Sequence, residues 1–492
     1  MNSGQAKEKM SADENIKILF VASEVFPFAK TGGLADVASA LPKALSKINC
    51  NVKVILPKYS TIDAIKYDLE FVCELPNGGA VKKCKLKGST VEFFFIEYEY
   101  YFGRKALYGE NGADYADNAE RYIYFCKAVL DFARVTGFKP DVIHCNDWQA
   151  ALIPVYLETL RKDPFFKNTG TVMTIHNLAY QGIFHKDTMY ATGLPWSFFT
   201  RDRLEYWDHL NFMKGGLVFA DIVNTVSETY AREIQSSYDY GWGLEGILQA
   251  RKHDVYGILN GIDSRDWSPA TDKYLTNKFD ILSLGRKLEN KKLLSGKVGV
   301  PFKPGTPLIG IVSRFADQKG FDIIGQALEL LLQNDIQLVA QGVGEQRYFE
   351  MFRKFRLKYP DKISVVESFN ERIAHLIYAG ADMFLMPSRF EPCGLSQLIS
   401  YRYGTIPIVR ETGGLADSVK NYDPKTGQGT GFVFKNYSPW SLLDAVSRAG
   451  EVYRTKELWA RLILKDMKLD FSWDISAGKY LELYKKIIVK RK

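Results

Sequence analysis

The chain has 492 residues, 46% hydrophobic, 25% charged and 14% aromatic, inside the range of folded soluble proteins, so disorder as the main state is excluded. A single hydrophobic core stops growing near ~250–300 residues, which divides a chain of this length into two large domains with a cleft between them. Lys plus Arg 65 against Asp plus Glu 57 leaves a net +8; about one excess charge per ~60 residues is too dilute to mark a nucleic-acid protein, though it is compatible with an anionic ligand.

Residues 1–15, MNSGQAKEKMSADEN, lack the apolar run of a signal peptide and the acid-poor character of a transit peptide, and are expected to be a loose tail. From Ile16 short apolar runs alternate with helix-length amphipathic segments: IKILFVASE, VKVIL, DVIHC, TVMTIH, DIVNTVS and VYGILN. Such continuous Val/Ile/Leu runs read as strands buried on both faces of a parallel sheet. The segment NGIDSRDWSPATD collects Gly, Asp, Ser and Pro as a linker would, and a second series follows: PLIGIVS, IQLVAQ, ISVVE, DMFLMP and IPIVR. The expected architecture is α/β, with two Rossmann-like doubly wound domains over residues 16–262 and 263–471 facing an inter-domain cleft. Residues 472–492 are helical in period with a basic end, and are expected to cross back to the N-terminal domain. No run of ~18 apolar residues predicts a membrane span. The six cysteines are scattered without a C-x-x-C pair, which fits reduced thiols in a cytoplasmic protein.

One hexapeptide, TGGLAD, occurs at Thr31–Asp36 and again at Thr412–Asp417, each time between a predicted strand and helical residues. A Gly-Gly step lets the backbone approach a ligand closely, and the helix N-terminus beyond it offers free N–H groups and a positive dipole end. The alternative reading is a pair of simple strand-to-helix turns. GWGLEG at Gly241–Gly246 matches the dinucleotide fingerprint in letters only, because SSYDY before it is no buried strand. The chain has no D-x-D, no H-E-x-x-H and no zinc-type cysteine spacing. Any phosphate is therefore expected to be neutralised by protein cations rather than by a carboxylate-held metal.

Strand PLIGIVS delivers Arg314, and the loop after it Lys319; a fixed fork and a mobile point charge at a strand end suit a diphosphate. Strand DMFLMPS runs into RFEPCGLSQL and places Glu391 at the same edge, where a carboxylate can bind sugar hydroxyls or stabilise positive charge at an anomeric carbon. In the N-terminal half, strand ends deliver His144, Asp147 and Trp148, then His176 and Asn177. Glu24 ends the first strand, and Lys30 precedes the first Gly-Gly loop. Solvated charges, helix N-terminal acids and structural histidines are the ordinary readings of these residues one by one.

KTGGLADV, HCNDWQAAL, TIHNLAYQG, NTVSETYA, GILNGID, SRFADQKG and EPCGLSQLISYRYGTIPIVRETGGLAD, in this order between about Ile16 and Tyr484, resemble the bacterial glycogen synthases and plant starch synthases, retaining glucosyltransferases of GT-B architecture. The resemblance implies two Rossmann-like domains closing over ADP-glucose as donor, with no metal or other cofactor. It also implies glucosyl transfer to the non-reducing 4-hydroxyl of an α-1,4-glucan such as glycogen, a starch-like polymer or a maltooligosaccharide. By the same resemblance, Lys30 with Gly32 and Gly33 meets the diphosphate and sugar, Arg314 and Lys319 clamp the phosphates, and Thr412, Gly413 and Gly414 form the matching loop. Glu391 is the sugar-facing carboxylate, with Cys393, Gly394 and Leu395 lining its turn. His176, Asp147, Asn177 and Asn260 surround the glucosyl unit, and Glu24 belongs beside Lys30. Phe369 stands where the family usually has a tyrosine against the adenine, keeping a ring but not a hydroxyl. Other retaining nucleotide-sugar transferases usually carry a second Glu eight residues after the first; Ile399 stands there, which favours the synthases. The competing expectations are a transferase with another donor or a small acceptor, and a non-catalytic glucan-binding homologue.

Overall fold

The computed structural model of the protein describes residues 15–110 and 112–491; the tail expected over residues 1–15 lies, Asn15 apart, outside them. The described residues form two units. One takes the chain up to Thr225, Ile234–Ile258 and the residues from Trp473 onward; the other takes Val226–Glu233 and Leu259–Ser472.

The first unit is built on a nine-stranded sheet. Its strands are β1 (Ile16–Val21), β2 (Cys50–Pro57), β3 (Glu70–Glu74), β4 (Ala80–Lys85), β5 (Glu92–Glu97), β6 (Val142–Asn146), β7 (Gly170–Ile175), β8 (Ile222–Thr225) and β9 (Val255–Gly257). They lie in the order β9-β8-β7-β6-β1-β2-β5-β4-β3. The six from β9 to β2 are parallel, β5 joins β2 in parallel, and β4 and β3 continue antiparallel. Every residue of β6 and of β7 is buried, as helices on both faces of a parallel sheet require. Parallel register Val21↔Cys145 and Cys145↔Met173 aligns the carboxyl ends of β1, β6 and β7 at one edge. Helix α1 (Gly33–Ser46) follows β1 and turns its apolar face to the sheet.

The C-terminal helix, Trp473–Arg491, belongs to this first unit. Tyr484 Oη lies 2.8 Å from His144 Nδ1, and Asn224 donates to Tyr480 Oη at 2.9 Å. Gly170 opens β7 where a Cβ would meet Ile487 at 2.0 Å, so this glycine is what lets the helix approach the sheet. His144 is thereby corrected: it lies inside β6, fully buried, with Nε2 2.7 Å from Thr174 Oγ1. Burial pushes its imidazole down to about 3, the signature of a neutral core histidine.

The second unit carries a six-stranded parallel sheet: β10 (Leu308–Val312), β11 (Gln337–Gln341), β12 (Ile363–Val366), β13 (Met383–Met386), β14 (Ile406–Arg410) and β15 (Phe432–Phe434), ordered β12-β11-β10-β13-β14-β15. The order reverses between β10 and β13, which is where an open α/β sheet binds ligands at its carboxyl edge. Two boundaries differ from the sequence reading. Val226–Glu233 and Asn260 both belong to this second unit although the N-terminal domain was expected to run to residue 262. The reason for the first is local: Glu233, Thr229 and Ser227 bond to residues of this unit. Among the described residues, no helix is long and apolar enough to cross a membrane.

Candidate active site

The carboxyl edge of the first unit's sheet gathers Glu24, Asp147 and His176, because β1, β6 and β7 are neighbours ending in register. Glu24, only 4% exposed, accepts hydrogen bonds from the Thr31 amide, the Thr31 hydroxyl (2.6 Å), the Gly32 amide (3.0 Å) and the Tyr108 hydroxyl (2.7 Å). Its carboxylate thus shapes the KTGGL loop from within. Lys30 Nζ is held by Asp36 at 2.6 and 2.8 Å, so lysine and aspartate of the one motif close on each other. A Cβ at Gly32 or Gly33 would meet nothing within 4 Å; this face of the loop is open to a ligand.

Asp147 sits at φ 54°, a backbone conformation that a non-glycine residue adopts at a cost of order ~1–3 kcal/mol. It receives the His176 amide at 2.7 Å and the Asn177 amide, while burial drives its carboxyl up to about 7. His176 Nε2 lies 2.8 Å from Asn146 Oδ1, and burial pushes the imidazole down to about 3. Neutral His176 is therefore oriented on both sides, by Asn146 at the ring and by Asp147 at the backbone. Asn177 Oδ1 receives the Ala179 amide at 3.1 Å.

In the second unit β10, β13 and β14 deliver the remaining groups. Lys319 Nζ lies 2.6 Å from Glu391 Oε2, and Ser388 Oγ donates to the same oxygen at 2.9 Å. The two loops are locked: the Arg389 amide donates to the Gln318 carbonyl at 2.9 Å, and Gly320, at φ 80°, leaves 2.2 Å between a hypothetical Cβ and the Pro387 carbonyl oxygen. Only glycine fits that crossing. Arg314 is exposed and bonds Gln318 Oε1 at 3.2 Å. Cys393 is buried, its thiol pushed up to about 12, and accepts from the Asn260 amide. Gly394, at φ 71°, makes the turn that Gln397 spans by donating to the Cys393 and Gly394 carbonyls; Leu395 caps the helix Ser396–Arg402. Phe369 is 66% exposed, available for stacking. Ile399 is buried in the core of this unit, where a carboxylate would be desolvated.

The two TGGLAD copies differ in use. The Gly413 amide donates to Glu233 (3.1 Å) and the Gly414 amide to the Glu391 carbonyl (3.1 Å), which corrects the expectation that this loop presents free N–H groups there. A Cβ on Gly413 would lie 1.9 Å from the Glu391 carbonyl oxygen, and one on Gly414 2.0 Å from that of Cys393. The second copy packs against the Glu391 turn, whereas the first faces open space. Tyr108, Ser388 and Glu233 were not singled out from sequence: Tyr108 and Glu233 are remote in the chain from the groups they hold, and Ser388, three residues before Glu391, is an ordinary strand-end serine that no motif signals. Among the described residues, no group of three or more His, Cys, Asp or Glu side chains is arranged to hold a metal ion.

Comparison with known proteins bears on these two edges. A family model described as starch synthase catalytic domain matches residues 17–250, and one described as glycosyl transferases group 1 matches 297–460. Glycogen synthase of Thermotoga petrophila is 47% identical over 489 residues, 96% of this chain and 99% of the relative; that of Desulforudis audaxviator is 45% identical over 97% and 98%. The catalytic domain of starch synthase IV from Arabidopsis thaliana, bound to ADP and acarbose, superposes with TM-score 0.86 at 35% identity, covering 97% of this chain and 100% of that one. Sucrose-phosphate synthase from Thermosynechococcus elongatus, at TM-score 0.59 and 17% identity over 96% of this chain and 100% of that one, shares the fold.

Proposed function

Since this chain belongs to the glycogen and starch synthase family and is a glycosyltransferase, we propose that it moves glucose from ADP-glucose to the non-reducing 4-hydroxyl of an α-1,4-glucan, with retention and without a metal. The observation that carries the reading is the Lys319–Glu391 pair, 2.6 Å apart, at the carboxyl edge where the second sheet reverses its strand order. Support for the donor comes from the plant starch synthase structure, which holds ADP, and from exposed Phe369 and Arg314 in the same unit.

Transfer breaks the bond between the anomeric carbon and the diphosphate oxygen, which keeps the electron pair, and forms a bond from that carbon to the acceptor 4-oxygen. The acceptor proton passes to the departing phosphate on the same face. As the bond breaks, negative charge grows on the diphosphate and positive charge on the sugar. Arg314 and Lys319 oppose the first, and Glu391 the second. Neutral His176 donates its one ring N–H, at Nε2, to Asn146 Oδ1 and is fixed at its backbone by Asp147, which leaves Nδ1 to accept from a sugar hydroxyl. The first loop, opened by Gly32 and Gly33 and stiffened by Glu24, admits the donor closely. The six cysteines are free thiols, in keeping with a cytoplasmic enzyme. Release of ADP against UDP from the two glucose donors, with and without glycogen, tests the reading. Glycogen-dependent ADP release supports it; UDP release alone overturns the donor.

A further inference from the structure

Glu391 takes its carboxylate contacts from Lys319 and Ser388, but its backbone is held from elsewhere. The Gly414 amide donates to the Glu391 carbonyl and, at 3.2 Å, to the Pro392 carbonyl. Ser227, fully buried, donates from Oγ to the same Pro392 carbonyl at 2.6 Å. Ser227 precedes the helix Glu228–Glu233, and that helix grips the second TGGLAD copy at both ends. At one end Glu233 accepts from the Thr412 hydroxyl (2.9 Å) and the Gly413 amide (3.1 Å). At the other, Asp417 accepts from the Thr229 amide (2.8 Å) and hydroxyl (2.5 Å). Glu24 performs the same office for the first copy, bonding the threonine hydroxyl and a glycine amide there.

We infer that Glu233 and Ser227 are positioning residues for Glu391. The eight-residue segment Val226–Glu233 is a brace that fixes Thr412–Gly414, which in turn fixes the backbone carrying Glu391. The packing leaves the turn no slack, because a Cβ on Gly413 would already lie 1.9 Å from the Glu391 carbonyl oxygen. Removing the Glu233 carboxylate leaves the Gly413 amide and Thr412 hydroxyl without this acceptor, so the loop relaxes toward other partners and the Glu391 carboxylate moves with it. The inference rests on the assignment of Glu391 made under Proposed function.

The test is steady-state kinetics with ADP-glucose and glycogen on Glu233→Ala, Glu233→Gln and Ser227→Ala, each also combined with Glu391→Gln, with thermal melts alongside. Glu233→Ala is expected to lower kcat roughly 10- to 100-fold with donor KM changed less than about 3-fold, the mark of a displaced catalytic group. Glu233→Gln keeps an acceptor oxygen and is expected to recover kcat to within about 3-fold of wild type. On the Glu391→Gln background the Glu233→Ala loss is expected to shrink below about 3-fold, because both act through one carboxylate. A folded Glu233→Ala enzyme with wild-type kcat, or an equal loss in both backgrounds, overturns the positioning role alone. Should Glu233→Ala fail to fold, Ser227→Ala carries the same pair of expectations. Wild-type kcat in Glu391→Gln by itself overturns the Glu391 assignment, and with it the route described here.

Discussion

Lys319 and Glu391, 72 positions apart in sequence, meet at 2.6 Å with the carboxylate 7% and the lysine 21% exposed at the side chain. Each neutralises the other, so neither acts alone. Glu391→Gln keeps the shape and removes the charge, and kcat is expected to fall by roughly 10²-fold or more with a much smaller change in donor KM. Lys319→Ala removes the proposed phosphate partner and also leaves Glu391 without this counter-ion, so kcat and donor KM are both expected to worsen. Wild-type kcat in the glutamine variant would make Glu391 a structural acid.

The two glycine loops are expected to respond oppositely to one methyl group. Gly33→Ala meets open space, so its melting temperature is expected to stay within about 2 °C of wild type while donor KM rises. Gly413→Ala, at φ 45° and facing the Glu391 carbonyl, is expected to lose about 2 kcal/mol or more of stability. Equal melts for the two variants would contradict the different packing of the two copies.

The residues at each sheet edge could be read from sequence because strands buried on both faces have a plain apolar signature, and parallel strands place their following residues at one edge. IKILFV, DVIHC and TVMTIH are such strands. Glu70–Glu74, Ala80–Lys85 and Glu92–Glu97 were not read: the first two continue the sheet antiparallel and mix charged with apolar residues at a half-exposed edge, and the third, parallel to β2, is a short run closed by a glutamate at each end. SETYARE reads as an ordinary helix after a strand. Its attachment to Thr412 and Gly413, about 180 positions away, depends on tertiary packing that no local pattern encodes.

Asp466 gives a pH-dependent prediction. It is fully buried, neither carboxylate oxygen has a hydrogen-bond partner among the described residues, and burial pushes it up to about 8. A raised folded value means stability fully present below the unfolded value near 3.8 and lost as pH rises through about 8. Asp466→Asn is therefore expected to gain in melting temperature over wild type as pH rises from about 4 to about 8, then level off. A difference that does not vary with pH would contradict this assignment.

Transfer is expected to retain most of its rate in excess chelator if, as proposed, Arg314 and Lys319 balance the charge of the diphosphate. Activity lost to chelator and restored by magnesium alone would contradict that.

The most direct test follows nucleotide release and polymer growth in one reaction, with ADP-glucose and a maltooligosaccharide of known length. The account predicts ADP release equal to the glucose added, each unit in α-1,4 linkage at the non-reducing end, with both signals falling together in Glu391→Gln. ADP released without chain growth, or growth with a β linkage, would contradict it.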